Sequence, residues 1–312
     1  MKKSTFLKLF IGFAILGALI YKIGIKDIFS VVSKMNVAYL PVILVIILIV
    51  NFFGAWKLIL LFRPTSSKIR FLKLCHIYFL SGCLSLFIPG RAGELLLIYF
   101  LKKEKVKLGI GSALVIIDKI IATIDTFILA LAGIFIFFNT SQSLEIIGLF
   151  MIGFSACIYM IFSNFGRGIL RRLILRRWES HFAGFSKTLS LTVKKNKPAI
   201  FYNFALGLVK WILYASVLYL LFRAFGQNVS VFMVLLATAT LSFVSLVPIS
   251  LNGLGLKESL GVVLFALIGV SATVTASVFL ALLIINYVIS AAYIALFFEE
   301  RYKPNIRKLL GK

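Results

Sequence analysis

Two apolar stretches of this chain are interrupted by the same order of residues: a proline, then glycines, then a glutamate. The first reads Pro89-Gly90-Arg91-Ala92-Gly93-Glu94. The second reads Pro248-Ile249-Ser250-Leu251-Asn252-Gly253-Leu254-Gly255-Leu256-Lys257-Glu258. Each proline removes a backbone donor and breaks helix hydrogen bonding. The glycines tolerate the distorted backbone and let a ligand or a neighbouring helix come close. Where a helix restarts, its first amides are unsatisfied and its dipole is positive, which makes an anion site. Arg91 adds a fixed charge whose fork fits phosphate. The expected chemistry is capture of a phosphate by Arg91 and the amides around Gly90, Gly93, Gly253 and Gly255. Glu94 and Glu258 fall in the first turns of the restarted helices, where the dipole stabilises an acid. At membrane depth such acids pair with a cationic group or carry a proton. As ordinary structure they would form salt bridges, Glu94 with Arg91 and Glu258 with Lys257.

Asp118 and Asp125 lie seven residues apart in one apolar run, so on a helix they share a face two turns apart. They join the substrate-binding candidates, with Lys210 as the partner expected from the other half of the chain. Pairing with a neighbouring helix is the structural alternative. Asn203, Asn252 and Asn286 read first as interhelical hydrogen-bonding groups. Asn252, inside the second break, also joins the candidate set. His76 and His181 show no metal or triad spacing, so no metal, catalytic residue or cofactor is expected. Cys75, Cys83 and Cys157 sit in apolar segments without a CxxC and read as packing residues.

The elements that must position these residues follow from composition. The 312 residues are 61% hydrophobic and 14% charged, with a mean hydropathy of +1.06. A soluble domain would be near half apolar and about a quarter charged. Several apolar runs reach the ~20 residues that span a bilayer. The fold class is therefore all-α, a polytopic membrane helical bundle. The net charge of +24 lies beside apolar spans, which points to anionic lipid and cytoplasmic anchoring rather than nucleic acid.

Helices are expected at about 5–24, 37–62, 71–89, 91–101, 108–138, 144–163, 198–225, 230–248, 253–269 and 271–298. The region 22–36 reads as a loop. The stretch 164–197 holds nine Lys/Arg against one Glu. It reads as a cytoplasmic basic segment, amphipathic in part, with plain positive-inside anchoring as the simpler account. Lys57, Arg63, Lys68, Arg70 and Lys73 place the 57–73 region inside as well, and both termini follow. By this parity, segments 71–101 and 230–269 each return to the side they left. They are hairpins broken at the two motifs. The single membrane domain 1–312 then divides into units 37–138 and 198–298 of opposite orientation, the pattern of inverted-repeat transporters.

The Phe87-Ile88-Pro89-Gly90-Arg91-Ala92-Gly93-Glu94 motif, the Asp118-Lys119 pair with Asp125, and Pro248…Asn252-Gly253-Leu254-Gly255…Glu258 together resemble the membrane domain of lysylphosphatidylglycerol synthases, the flippase-like UPF0104 family. The resemblance implies a multi-pass plasma-membrane protein. In bifunctional members this domain is linked to moving aminoacylated lipid, and other relatives are associated with isoprenoid-linked sugars and hopanoids. It also implies a stand-alone member, because little sequence follows residue 298 for a cytosolic synthase domain.

The leading expectation is a lipid flippase acting on an anionic or phosphate-bearing lipid, with a homo-oligomer or a lipid-modifying enzyme as further partners. The competing readings are an intramembrane lipid-modifying transferase and an accessory subunit of one. The transferase reading is thin, since the expected exterior loops offer only Asp27 and Glu145 as acids.

Overall fold

The computed structural model describes residues 14–63, 65, 67–87, 93–148, 152, 185–245 and 253–298. Among these residues every regular element is helical. The first described helices are α1 (Ala14–Ile23) and α2 (Ile25–Val32), followed by α3 (Leu40–Phe62), α4 (Phe71–Phe87), α5 (Gly93–Lys103) and α6 (Leu108–Phe137). A helix at 140–148, α7, comes next. The second half holds α8 (Phe185–Lys195), α9 (Lys197–Ala224), α10 (Val231–Val244), α11 (Leu256–Ala266) and α12 (Ala272–Phe297).

Among the described residues, four stretches are long and apolar enough to cross a membrane: Val37–Phe62, Leu108–Phe137, Lys197–Ala224 and Ala272–Phe297. Their ends carry ordinary helix signals. Asn36 accepts from the Ala38 amide before α3. Ser271 accepts from the Val274 amide before α12. Prolines stand in the first turns of α3 and α9, where no helical donor is lost. The outer face of α3 leaves Val42, Val45, Leu48, Phe52 and Trp56 exposed, as expected of a surface facing lipid.

One expectation changes. The 22–36 region contains a helix, α2, with Ile25, Ile28, Phe29 and Val32 at helical spacing. Only Ile28 of these is buried. In the basic stretch 164–197 a helix is described at Phe185–Lys195, packed against α6 and α9. The rest of that stretch, most of the helix expected at 144–163, and both helix breaks at their prolines (88–92 and 246–252) lie outside the described residues.

The apolar interior forms two clusters. One gathers Leu58 and Leu61 of α3, Ile77 of α4, Phe100 of α5 and Leu114 of α6. The other gathers Ile43 of α3, Leu218 and Phe222 of α9, Val234 of α10, Phe265 of α11 and Val278 of α12. Helices α3 and α9 lie against each other over the most extensive contact among the described residues. The remaining contacts come largely in pairs. α3 packs on α4 as α9 packs on α10, and α4 on α5 as α10 on α11. α5 packs on α6 as α11 on α12, and α3 on α6 as α9 on α12. Across the halves, α4 meets α12 and α10 meets α6. Among the four long spans, over the described residues, one contact has no counterpart: α6 lies on α9, whereas α12 makes no comparable contact with α3.

The α6–α10 seam is close because of Gly133. A Cβ there would run into Thr240 Oγ1 and lie 2.9 Å from the Leu236 carbonyl oxygen. Backbone cannot step aside as a flexible side chain can. Gly133→Ala is expected to cost about 1–3 kcal/mol by overpacking, read as a lower unfolding temperature in detergent.

Candidate functional site

Between the two apolar clusters, α3, α6 and α9 bury charged and polar side chains. Lys57 of α3, Asp118 and Asp125 of α6, and Asn203 of α9 are 2%, 3%, 1% and 0% exposed. Burying a charge this deeply is costly unless it is paired and hydrogen-bonded. Lys57 Nζ meets Asp118 Oδ1 at 3.4 Å. Asn203 Nδ2 donates to the same Oδ1 at 3.1 Å and to the Lys57 carbonyl at 2.7 Å. One asparagine therefore fastens α9 to both members of an α3–α6 ion pair.

Asp125 is held differently. Neither of its carboxylate oxygens has a hydrogen-bond partner among the described residues. It lines a cavity of about 210 Å3 with Val50, Lys57, Lys210, Trp211 and Tyr214. Lys210 Nζ donates to the Tyr78 hydroxyl at 3.2 Å. Two glycines make room for this arrangement. A Cβ at Gly207 would collide with Asp125 Oδ2, and one at Gly54 would collide with the Tyr78 ring.

Glu258 lies within electrostatic reach of Tyr214, which lines the cavity. It is buried in the first turn of α11. Its carboxylate accepts from the backbone amides of Gly255 and Glu258, the reach-back of a third helical residue to its N-cap. Its other oxygen, Oε2, has no partner among the described residues. Gly253 and Gly255 have φ of 80° and 77°, a conformation that costs other residues strain. That turn delivers Glu258 into the bundle.

The structure thus brings together Asp118, Asp125, Lys210 and, through Tyr214, Glu258. Gly253 and Gly255 shape the approach to Glu258. Gly90, Arg91 and Asn252 lie outside the described residues. Gly93 opens α5, and the Glu94 side chain also lies outside the description. Sequence reading missed Lys57, which is a buried partner of Asp118 rather than an inner-loop charge. It also missed Tyr78, Trp211 and Tyr214. His76 reaches across the α4–α12 seam, with Nδ1 2.8 Å from the Tyr293 hydroxyl. Among the described residues no group of His, Cys, Asp and Glu has the makings of a metal site.

These features define a multi-pass helical membrane protein with a charged network enclosed in its spans. Residues 5–293 match the family described as the lysylphosphatidylglycerol synthase TM region, and the chain belongs to that family. It is similar to a UPF0104 membrane protein of Methanothermobacter thermautotrophicus, at 23% identity over 89% of each chain. No solved structure matches it.

Proposed function

We propose that this protein is a flippase that moves a phosphate-bearing lipid, aminoacylated and polyprenyl-linked forms included, across the plasma membrane. The observation that carries this reading is the charged network of Lys57, Asp118, Asp125 and Lys210 inside apolar spans. Charges at that depth mark pathways for polar groups. The headgroup would cross by way of this cavity while the acyl or prenyl tails stay in the bilayer. Family membership supports a lipid-related role.

Two further features favour inverted units 37–138 and 198–298, with both termini cytoplasmic. Helices α5 and α11 have 11 residues each, about 16 Å of rise against the ~30 Å hydrocarbon core. Such short helices suit re-entrant hairpins. The paired contacts of the fold also match under exchange of the two halves. In this reading Arg91 and the helix starts at the two breaks receive the phosphate, and Glu94 and Glu258 follow the headgroup's charge. A homo-oligomer or a lipid-modifying enzyme would be its natural partner.

The test is transbilayer movement of labelled phosphatidylglycerol, lysylphosphatidylglycerol and a polyprenyl phosphate in proteoliposomes. Wild type is expected to move one of them selectively, with Arg91→Ala and Glu258→Gln reduced at least tenfold, about 1.4 kcal/mol. Folded protein that moves none of the three would overturn the reading.

A further inference from the structure

Asp125 is a buried acid that its neighbours leave unanswered. It is 1% exposed, and neither carboxylate oxygen has a hydrogen-bond partner among the described residues. Asp118, two turns away on α6, is met by both Lys57 and Asn203. The ion pairs among the described residues are Lys57–Asp118 and Lys73–Glu104, and Asp125 is in neither. Lys210 lines the same cavity but donates to the Tyr78 hydroxyl instead. A carboxylate buried in this way must be paired or must lose its charge.

The groups that act on Asp125 are Lys57 from α3, Asp118 from its own helix and Lys210 from α9, with Tyr214 of α9 in the same lining. Of the other helices packed on α6, α10 has no titratable side chain. Among the described residues none on α5 or α8 acts on Asp125. Glu258 of α11 reaches Tyr214 and also has an unpartnered oxygen. The demand of Asp125 is there before any headgroup arrives, so solvent must supply what meets it: a metal ion, water or a proton. A metal ion would share about 210 Å3 with two ammonium groups, and like charges repel. The side-chain oxygens around it would be those of Asp125, Thr126 and Tyr214, whereas a hard cation takes about six oxygens. Water supplies hydrogen bonds but leaves a charge away from bulk solvent. A proton removes the charge itself.

We infer that Asp125 is a proton-binding site and that the proton crosses together with an anionic headgroup. This rests on the reading of the protein as a lipid mover and names its coupling ion. A phosphate drawn to Lys57 and Lys210 brings negative charge into the cavity that Asp125 lines. An ionised Asp125 repels it and a protonated one does not. Proton and phosphate each tighten the binding of the other, and the linkage is reciprocal. The proton is taken from water on the side where the headgroup enters and returned to water on the other. Only the carboxyl O–H bond is made and broken. Buried acids of membrane transporters serve as proton relays in this way.

Protonation is read directly by infrared spectroscopy of the protein in phosphatidylcholine nanodiscs. A protonated carboxyl gives a C=O stretch that moves in D2O and is absent from a carboxylate. Wild type is expected to show that band at neutral pH. Isotope labelling of the aspartate carboxyls should shift it, and the chain has only Asp27, Asp118 and Asp125. Asp27 is exposed and Asp118 is paired. Glu258→Gln should keep the aspartate band and Asp125→Asn should lose it. Coupling is read in proteoliposomes with the lipid they move and the membrane potential clamped. For a monoanionic headgroup with one proton, a pH gradient should gather lipid on the alkaline side by up to about tenfold per pH unit. In Asp125→Asn the two leaflets should stay even.

A wild-type spectrum without an aspartate carboxyl band at neutral pH would overturn the inference without recourse to any variant, because Asp125 would then be ionised and served by water. Even leaflets under the gradient, in wild type that moves lipid, would overturn the co-movement and the inference with it. The band found in protein that moves no lipid would uphold the proton site and remove the flippase reading instead.

Discussion

Replacing Lys57 with methionine is expected to cost about 3–5 kcal/mol of folding free energy, the usual consequence of stranding one half of a buried ion pair. Asp118 is 3% exposed, and without Lys57 it would keep only its bond from Asn203. Methionine fills a similar volume, so the loss reports charge rather than packing. Removing both charges should behave differently. Lys57→Met with Asp118→Leu is expected to recover most of the loss, because apolar replacement of a whole buried pair is often neutral. Thermal or SDS unfolding of the purified protein in detergent gives all four corners of the cycle. An unchanged midpoint for Lys57→Met would mean that the pair contributes nothing to the fold. Recovered stability together with lost lipid movement in the double variant would separate the scaffold role of the pair from the role on a headgroup path proposed for it.

Gly207→Val should destabilise the α6–α9 contact. The first atom added at 207 collides with Asp125 Oδ2, so either α6 and α9 move apart or the carboxylate leaves the cavity. Overpacking of this kind costs about 1–3 kcal/mol. The cavity between α6 and α9 would also be reshaped, so the lipid movement proposed for this protein is expected to fall with stability. The clash has a specific partner, which makes it testable. Asp125→Ala in the Gly207→Val background should return part of the stability, with a coupling of about 0.5–3 kcal/mol. Strictly additive effects of the two substitutions would show that residues 125 and 207 do not touch.

The long spans were legible because each is an uninterrupted apolar run of the length a bilayer demands. The expected 108–138, 198–225 and 271–298 correspond to Leu108–Phe137, Lys197–Ala224 and Ala272–Phe297. Helix α2 was hidden by Lys26, Asp27 and Lys34, which gave its region the look of a loop although its apolar residues repeat at helical spacing. In the site, Asp118 and Asp125 stood out as acids in an apolar run, and Lys210 as their counterpart. Lys57 did not, because Arg63, Lys68 and Arg70 follow so closely that it counted with them. The signal was the run Leu58-Ile59-Leu60-Leu61-Phe62, which carries the span a full turn past the lysine. Tyr78, Trp211 and Tyr214 are common residues of apolar helices, and no spacing rule separates those that line a cavity from those that face lipid. Glu258 was expected to pair with Lys257 if it was structural. A carboxylate three residues into a helix also reaches the amide of Gly255, which depends on a backbone turn that only coordinates reveal, and Lys257 acts on it electrostatically as well.

The contact of α6 with α9, unanswered by α12 and α3, bears on the energetics of switching. If units 37–138 and 198–298 are interchangeable, a second packing exists in which α12 lies on α3 and α6 has withdrawn from α9. Apolar area would be traded between the two arrangements rather than lost, so they form a nearly degenerate pair. The side chains that differ between the two seams would split the degeneracy, among them the His76–Tyr293 contact of α4 with α12 and the Gly133–Thr240 approach of α10 to α6. A bound headgroup reverses the balance when its preference for one arrangement exceeds that gap.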